Sequence, residues 1–445
     1  MNRFDLFLGE PPVDRRGIHK HEHPKSLSEA TIQLVIDHIK SFKGRLSHYS
    51  LHSTHRVYLP EELNITKMYE LFMEQNSEIK CSYESYRKIF NTRFNLSFGY
   101  PRNDTCANCD EFTSRIQSAA TNEEKEAINT EKTEHLHLAE VFYTRKKAKR
   151  EQSKRDSSHI TLAFDYWKNL PCPNITTNDV YYKRKLSVYT FNVHTLHTNE
   201  VSLYCYDETV ARKGADDVCS MLYLHMSTFP LEITTVQLFC DGCAGQNKNW
   251  TLIRFLYFLV HAIRLFAEIT VSFPVRGHSY MECDKDMGHI NQKVKAVLPK
   301  DWRSEFYKAR KNPSPMKVID MSNEKFLGIE SALQPFFRKK CPFKTRPVRE
   351  IRICLDKPGY ILHRNNWNGE FSLSLPFKAN QQQELPQIEF QLAYATALPI
   401  SKAKYNDLQV LKKFCSLENQ AYFDSLPKSN DVPDTLHEIE EQHDD

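Results

Sequence analysis

After Ser157 three short segments of strand-like pattern follow one another, and from Asp216 the period switches repeatedly between helix and strand. Ile160-Thr-Leu-Ala-Phe164 is brief and rich in β-formers, Lys185 to Leu196 alternates apolar and polar residues, and Val201 to Tyr206 does so again. Asp216 to His225 then reads as a helix, Thr235 to Cys240 as a strand, Trp250 to Phe266 as an apolar helix, and Glu268 to Val275 as a strand. Asp286 to Leu298 reads as a last helix, stopped by Pro299. This order predicts an antiparallel triplet extended by parallel strands, with helices on both faces of an α/β sheet.

It is the order of an RNase H-like fold, a mixed sheet flanked by helices, over residues 157 to 300. Three aspartates fall where such a sheet gathers side chains. Asp165 ends the first strand, Asp241 ends the fourth, and Asp284 lies between the fifth strand and the last helix, with Asp286 two residues on. The carboxyl ends of adjacent central strands open on one crevice, so Asp165 and Asp241 should face each other. Carboxylates suit Mg²⁺ or Mn²⁺, and two such ions roughly 3.5–4 Å apart stabilise the attacking and leaving oxygens of a phosphoryl displacement. An acid after a strand is also a common turn or helix cap. Asp217 is either a fourth carboxylate or a residue favoured by the helix dipole. His278, in Arg276-Gly-His-Ser279, is either an orienting group for water or phosphate or a structural histidine. In Asp241-Gly-Cys-Ala-Gly-Gln-Asn-Lys-Asn249, the residues Gln246, Asn247 and Lys248 are candidates for phosphate contacts at a helix start, and capping explains them equally well.

Around this core the chain divides by composition. Its 445 residues suit two or three domains. Residues 1 to 30 form a polar arm, and residues 31 to 144 read as a helical region, with patterns at Glu29 to Phe42, Leu63 to Gln75 and Ser82 to Phe90. Within it, Cys106-Ala-Asn-Cys109 has the spacing of a structural zinc half-site. The second half is open among His135, His137, His48 and Cys81. Cys240 and Cys243 share the spacing but flank Asp241, and they read as packing cysteines. A long helix leads to a basic linker at 145 to 156, where Arg145, Lys146, Lys147, Lys149 and Arg150 belong to seven Lys or Arg set against two acids. Such a run contacts DNA backbone or serves nuclear import, or is simply a solvated face. Residues 301 to 426 suggest an α+β region, and 427 to 445 an acidic disordered tail.

Several classes are set aside. The most apolar stretch, Trp250 to Ala267, is broken by Arg254, His261 and Arg264, so no membrane span is expected. The first residues lack the pattern of a secretion signal, and 12 cysteines are too sparse for a disulfide scaffold, which points to reduced thiols inside the cell. With 12 glycines in all and no phosphate-cradling loop, no nucleotide cofactor is expected.

Phe164-Asp-Tyr166, Tyr182-Lys-Arg-Lys-Leu-Ser-Val-Tyr189, Arg212-Lys-Gly-Ala-Asp-Asp-Val218, Cys240 to Asn249 and Gly277-His-Ser-Tyr-Met-Glu-Cys-Asp284 together resemble a domain of unknown function, widespread in invertebrate genomes and thought to derive from transposons. Asp14-Arg-Arg-Gly17, Ser47-His-Tyr49, Tyr58-Leu-Pro60 and Phe98 to Cys106 extend the resemblance upstream. It implies a transposase-like, metal-dependent DNA nuclease or strand transferase using Asp165, Asp241 and Asp284, nuclear, with DNA as partner and self-association allowed. The alternative is a domesticated transposase that binds DNA or chromatin without cutting. A zinc-stabilised interaction module and other metal-dependent phosphoesterases stand behind these.

Overall fold

The computed structural model describes residues 27–42, 45–46, 57–59, 63–98, 106–175, 183–291, 294–378 and 385–433. Most of the expected polar arm, His48 and the acidic tail from residue 434 lie outside the described residues. The chain forms two compact units, residues 1–105 and 106–445.

The first unit contains α1 (Glu29–Ser41), β1 (Arg45–Leu46), β2 (Val57–Leu59), α2 (Ile65–Gln75), α3 (Tyr83–Arg93) and β3 (Leu96–Phe98). Ser28, Asn64 and Ser82 cap the three helices by accepting from backbone N–H groups of their first turns. Val35, Ile39, Met68, Phe72, Tyr86 and Phe90 form its core. Its helices fall where the apolar spacing puts them.

The second unit opens with α4 (Ala107–Ser118) and the 34-residue α5 (Asn122–Arg155). A capping box of Thr121 and Glu124 starts α5, no Gly or Pro interrupts it, and Lys154 and Arg155 suit its C-terminal dipole. Residues 145 to 155 are therefore helix rather than the expected linker, and two of their cations pair with the core. Arg145 bonds Glu350 at 2.7 Å and Lys146 bonds Glu282 at 2.7 Å.

The main sheet follows from β4 (His159–Tyr166), β5 (Leu170–Cys172), β6 (Leu186–Thr195), β7 (Glu200–Asp207), β8 (Thr235–Phe239) and β9 (Glu268–Ser272). β7, β6 and β4 are antiparallel neighbours, β8 and β9 continue beyond β4 in parallel, and β5 pairs with β6. The expected triplet with parallel extension is present. Ala163 and Phe239 face Phe142 of α5 and Cys283 of α8 (Glu282–Gly288). Leu162, Phe164 and Leu238 face α6 (Ala215–Met226) and α7 (Trp250–Tyr257), and α7 runs on into a π-helical turn at Phe258–Ala262.

Two expectations are corrected. The helix read as Asp286 to Leu298 instead ends at Gly288, and Pro299 starts the next helix, α9 (Pro299–Ala309), at a position where its missing N–H loses nothing. Nor is the segment after residue 300 a separate region. β10 (Lys317–Asp320) adds to β7 in parallel, and β11 (Glu350–Cys354) adds to β9 antiparallel, followed by β12 (Ile361–Arg364) and β13 (Ser372–Ser374). β10 and β11 thus cover the two edges of the core sheet and hydrogen-bond to it.

Phe142 joins α5 to this sheet. It is wholly buried, with ring centroids of Phe239 at 5.6 Å and Trp367 at 6.0 Å. Phe142→Ala is expected to destabilise the second unit by about 3–5 kcal/mol in denaturant unfolding. A change below about 1 kcal/mol would mean that α5 does not rest on the sheet.

Candidate functional site

Two groups of side chains lie on the α5 and α8 side of the sheet. The first begins at the carboxyl ends of β4 and β8. Asp165 is the penultimate residue of β4, in register with Asn192 of β6. Asp241 follows β8 by two residues and opens the loop into α7. Its Oδ1 accepts from Cys243 N–H at 3.1 Å and from Asn247 Nδ2 at 2.5 Å, so this loop is built around the carboxylate. Asp284 sits in the first turn of α8, where its Oδ2 accepts from Met281 N–H at 2.7 Å.

These carboxylates feel one another. Burial, then the charges of Asp241 and Asp284, hold the Asp165 carboxyl well above the usual carboxylate range. Lys213 acts in the opposite direction. Its Nζ donates to Asn169 Oδ1 at 3.1 Å and lies over the rings of Tyr166 (4.9 Å) and Tyr189 (5.7 Å). Asp165 and Asp241 are partly accessible at the surface and Asp284 is exposed.

The remaining sequence candidates sit elsewhere. Asp286 is buried, accepting from Asn192 Nδ2 at 2.9 Å and pairing with His194 Nδ1 at 2.7 Å, with Arg310 at 3.7 Å. It serves an inner polar network. Asp217 caps α6, accepting from Gly214 N–H and from Tyr394 Oη, and burial pushes its carboxyl up to about 7. Lys248 is buried, donates to the Arg346 carbonyl at 2.9 Å and lies over Phe273, and burial pushes its amine down to about 8. Asn247 orients Asp241. Of the basic run, Lys149 is half-buried and donates to Gln152, while Lys147 is exposed. Cys240 and Cys243 are buried, as expected of packing cysteines.

The second group is a Cys/His cluster. Cys106 is the N-cap of α4, Cys109 is in its first turn, His135 lies on α5, and His278 lies in the turn before α8. One ligand atom from each meets at a point, all within 4.8 Å of one another. Cys106 Sγ is 3.2 Å from His135 Nε2, Cys109 Sγ is 3.6 Å from His278 Nε2, and the two Nε2 atoms are 2.8 Å apart. Bonds of about 2.0–2.3 Å in a tetrahedral zinc site put donors roughly 3.3–3.8 Å apart, a spacing that the observed separations bracket. Two thiols and two imidazoles could bind a metal such as zinc. Burial lowers the His135 imidazole, keeping it neutral and able to ligate. Burial and Cys106 push the Cys109 thiol up to about 12, a penalty on the thiolate that a bound cation reverses.

Of the candidates for the second half of this site, His135 is in it. His137 is exposed, since two helical residues turn it about 200° away from His135. Cys81 belongs to the core of the first unit. The member of this cluster missed by sequence reasoning is His278, read as an orienting group for water or phosphate or as a structural histidine. No local spacing points to it, because it stands 169 residues from Cys109. Gly277 beside it is the one indirect signal. Its φ of +75° and the 2.7 Å between a Cβ built there and Cys106 Cα leave room only for glycine. The cluster therefore lies within the second unit and brings α4 and α5 to the core, where a zinc held by these cysteines was expected to stabilise residues 43 to 140 alone.

A family profile described as a domain of unknown function, DUF7869, matches residues 197–337, which hold Asp241, His278 and Asp284 but not Asp165 or Cys106. A search of curated proteins finds no match.

Proposed function

We propose that this chain is a transposase-like DNA nuclease or strand transferase with an RNase H-like core, in which Asp165, Asp241 and Asp284 hold two Mg²⁺ or Mn²⁺ ions. The observation that carries the reading is the placement of Asp165 and Asp241 at the carboxyl ends of two adjacent parallel strands, with Asp284 in the first turn of the helix after the third, near enough for the charges of Asp241 and Asp284 to act on Asp165. The strand order β7, β6, β4, β8, β9 supports it, since three antiparallel strands extended by two parallel ones is the arrangement of RNase H-like sheets. Bound ions would activate water or a 3′-hydroxyl and stabilise the leaving oxygen of a phosphodiester. Asn247 keeps Asp241 turned to the crevice, and Lys213, held over two tyrosine rings, supplies positive charge beside Asp165. A nuclear location and self-association on DNA belong to the same proposal.

The inactive DNA-binding reading draws less support. It leans on the basic run, and Arg145, Lys146 and Lys248 direct their charges into the fold. The test is nicking of supercoiled plasmid and of single-stranded DNA by the purified chain with Mg²⁺ or Mn²⁺. Metal-dependent cleavage is expected. Intact DNA under every combination would remove the enzymatic reading.

A further inference from the structure

We propose that Cys106, Cys109, His135 and His278 hold one zinc ion in a closed tetrahedral centre, and that this ion fastens α4 to the second unit. The proposal is independent of the acidic centre and of any reaction there.

The donor set selects the metal. Two thiol sulfurs and two imidazole nitrogens converge within 4.8 Å of one another, and Cys106 and His278 are buried. Thiolates and imidazoles in a tetrahedron suit zinc, whereas Mg²⁺ and Ca²⁺ take oxygen ligands. The protein supplies all four corners, so no position is left for water or substrate, which is the arrangement of a structural zinc rather than a catalytic one. The rival is a hydrogen-bonded pair of imidazoles, since the His135 and His278 Nε2 atoms are 2.8 Å apart. Such a pair needs neither thiol, yet both thiols are turned to the same point.

Helix α4 shows what the ion adds. None of its residues is buried, and Phe112 and Ile116 are only partly covered. It rests on α5 through Phe112, edge-on to the His135 ring at 5.9 Å between centroids, and through two surface contacts, Arg115 with Glu131 at 2.9 Å and Lys132 with Thr113 at 3.2 Å. Exposed ion pairs of this kind add little stability. Toward the core, the start of α4 meets the turn before α8 through its two cysteines. Cys106 Sγ donates to the Arg276 carbonyl at 3.5 Å, Gly277 packs on Cys106, and Cys109 Sγ lies 3.6 Å from His278 Nε2. These contacts already set the position of α4. A thiol is a weak hydrogen-bond donor, however, and an ion bonded to all four groups puts metal–ligand bonds at the same place. The chain need not move to accept it, and lifting α4 away then means breaking those bonds.

The experiment uses the full chain, with metal content by elemental analysis and amide hydrogen exchange along the chain as readouts. Wild type is expected to carry one zinc per chain, and replacement by Co²⁺ should give the visible absorption of a tetrahedral thiolate site. Cys109→Ser and His278→Ala should lose the metal, while His278→Cys, which supplies a Cys₃His set, should keep it. His137→Ala and Cys81→Ser should keep it as well. Loss of zinc should speed amide exchange in Ala107–Ser118 at least tenfold and leave β4, β6 and β8 unchanged. If the variants do not fold, a zinc-selective chelator on folded wild type gives the same comparison, reversed when zinc is added back. Wild type that carries no zinc and takes none up overturns the centre and leaves the imidazole pair in its place. Full zinc in His278→Ala overturns this ligand set. Unchanged exchange in α4 on zinc loss, or faster exchange spread evenly over the sheet, overturns the fastening.

Discussion

Asp241→Asn is expected to reduce metal-dependent DNA cleavage by more than about a hundredfold while making the metal-free chain more stable. The first effect follows because Asp241 is proposed to ligate the ions directly, and removal even of outer partners of metal ligands commonly lowers function 10–100-fold. The second follows from burial of Asp165 and from the repulsion added to it by Asp241 and Asp284. Asp165 holds its proton in the folded chain well above 3.8, the value it starts from, so the folded state binds a proton that the unfolded state has released. Stability therefore falls as pH rises above about 4, until the folded-state titration of Asp165 is complete. Asp241→Asn takes away the larger of the two charges responsible, so the decline with pH should flatten and Tm at neutral pH should rise. Mg²⁺ or Mn²⁺ should raise the wild-type Tm more at pH 8 than at pH 5 and leave the variant nearly unaffected. Calorimetry with and without Mn²⁺ at the two pH values checks this. A variant that is less stable than wild type at pH 8 would show that Asp241 is a structural partner of its loop, and retained cleavage would remove it from the chemistry.

Gly277→Val is expected to abolish zinc binding without touching a ligand. Two penalties combine. A φ of +75° is a left-handed conformation in which a non-glycine residue costs about 1–3 kcal/mol, more when β-branched. The added Cβ would lie 2.7 Å from Cys106 Cα and 2.8 Å from Cys106 Cβ, backbone-anchored atoms that cannot rotate away, and overpacking of this kind costs about 1–3 kcal/mol more. Relief requires Cys106 and His278 to part, which opens the tetrahedron. Zinc content should fall well below one per chain, and the urea midpoint should fall with it. Gly288→Ala is the control. A Cβ there meets nothing within 4 Å, so its zinc content should match wild type. Full zinc occupancy in Gly277→Val would mean that the close approach of Gly277 to Cys106 is not part of the metal site.

Most of the core was legible in sequence because its information is local. The alternation in Lys185 to Leu196 and Val201 to Tyr206, the apolar run ending at Asp165, and the helical spacing of Trp250 onward each follow from whether a segment buries one face or two, and this the chain states residue by residue. The order of those segments placed Asp165 and Asp241 at the ends of neighbouring strands. The half-site Cys106 and Cys109 was equally local. Three features were not. The helicity of residues 145 to 155 could not be separated from a solvated charge run, because Glu350 and Glu282, which accept Arg145 and Lys146, are over a hundred residues away. The edges of the sheet looked like a separate region because β10 and β11 are short and take their stability from partners in the core. His278 had no spacing to identify it, since a metal site records only where four donors meet in space. The sequence by itself determined the strands β4 to β9 other than β5, the helices α6 and α7 between them, and the placing of Asp165 and Asp241 at strand ends, through periodicity and chain order. Only the tertiary structure decided that Asp286 turns inward to His194, that Lys248 is buried and that His278 joins Cys106, Cys109 and His135. These depend on packing and on buried charges finding partners across the fold, and such contacts leave no periodic trace in the chain.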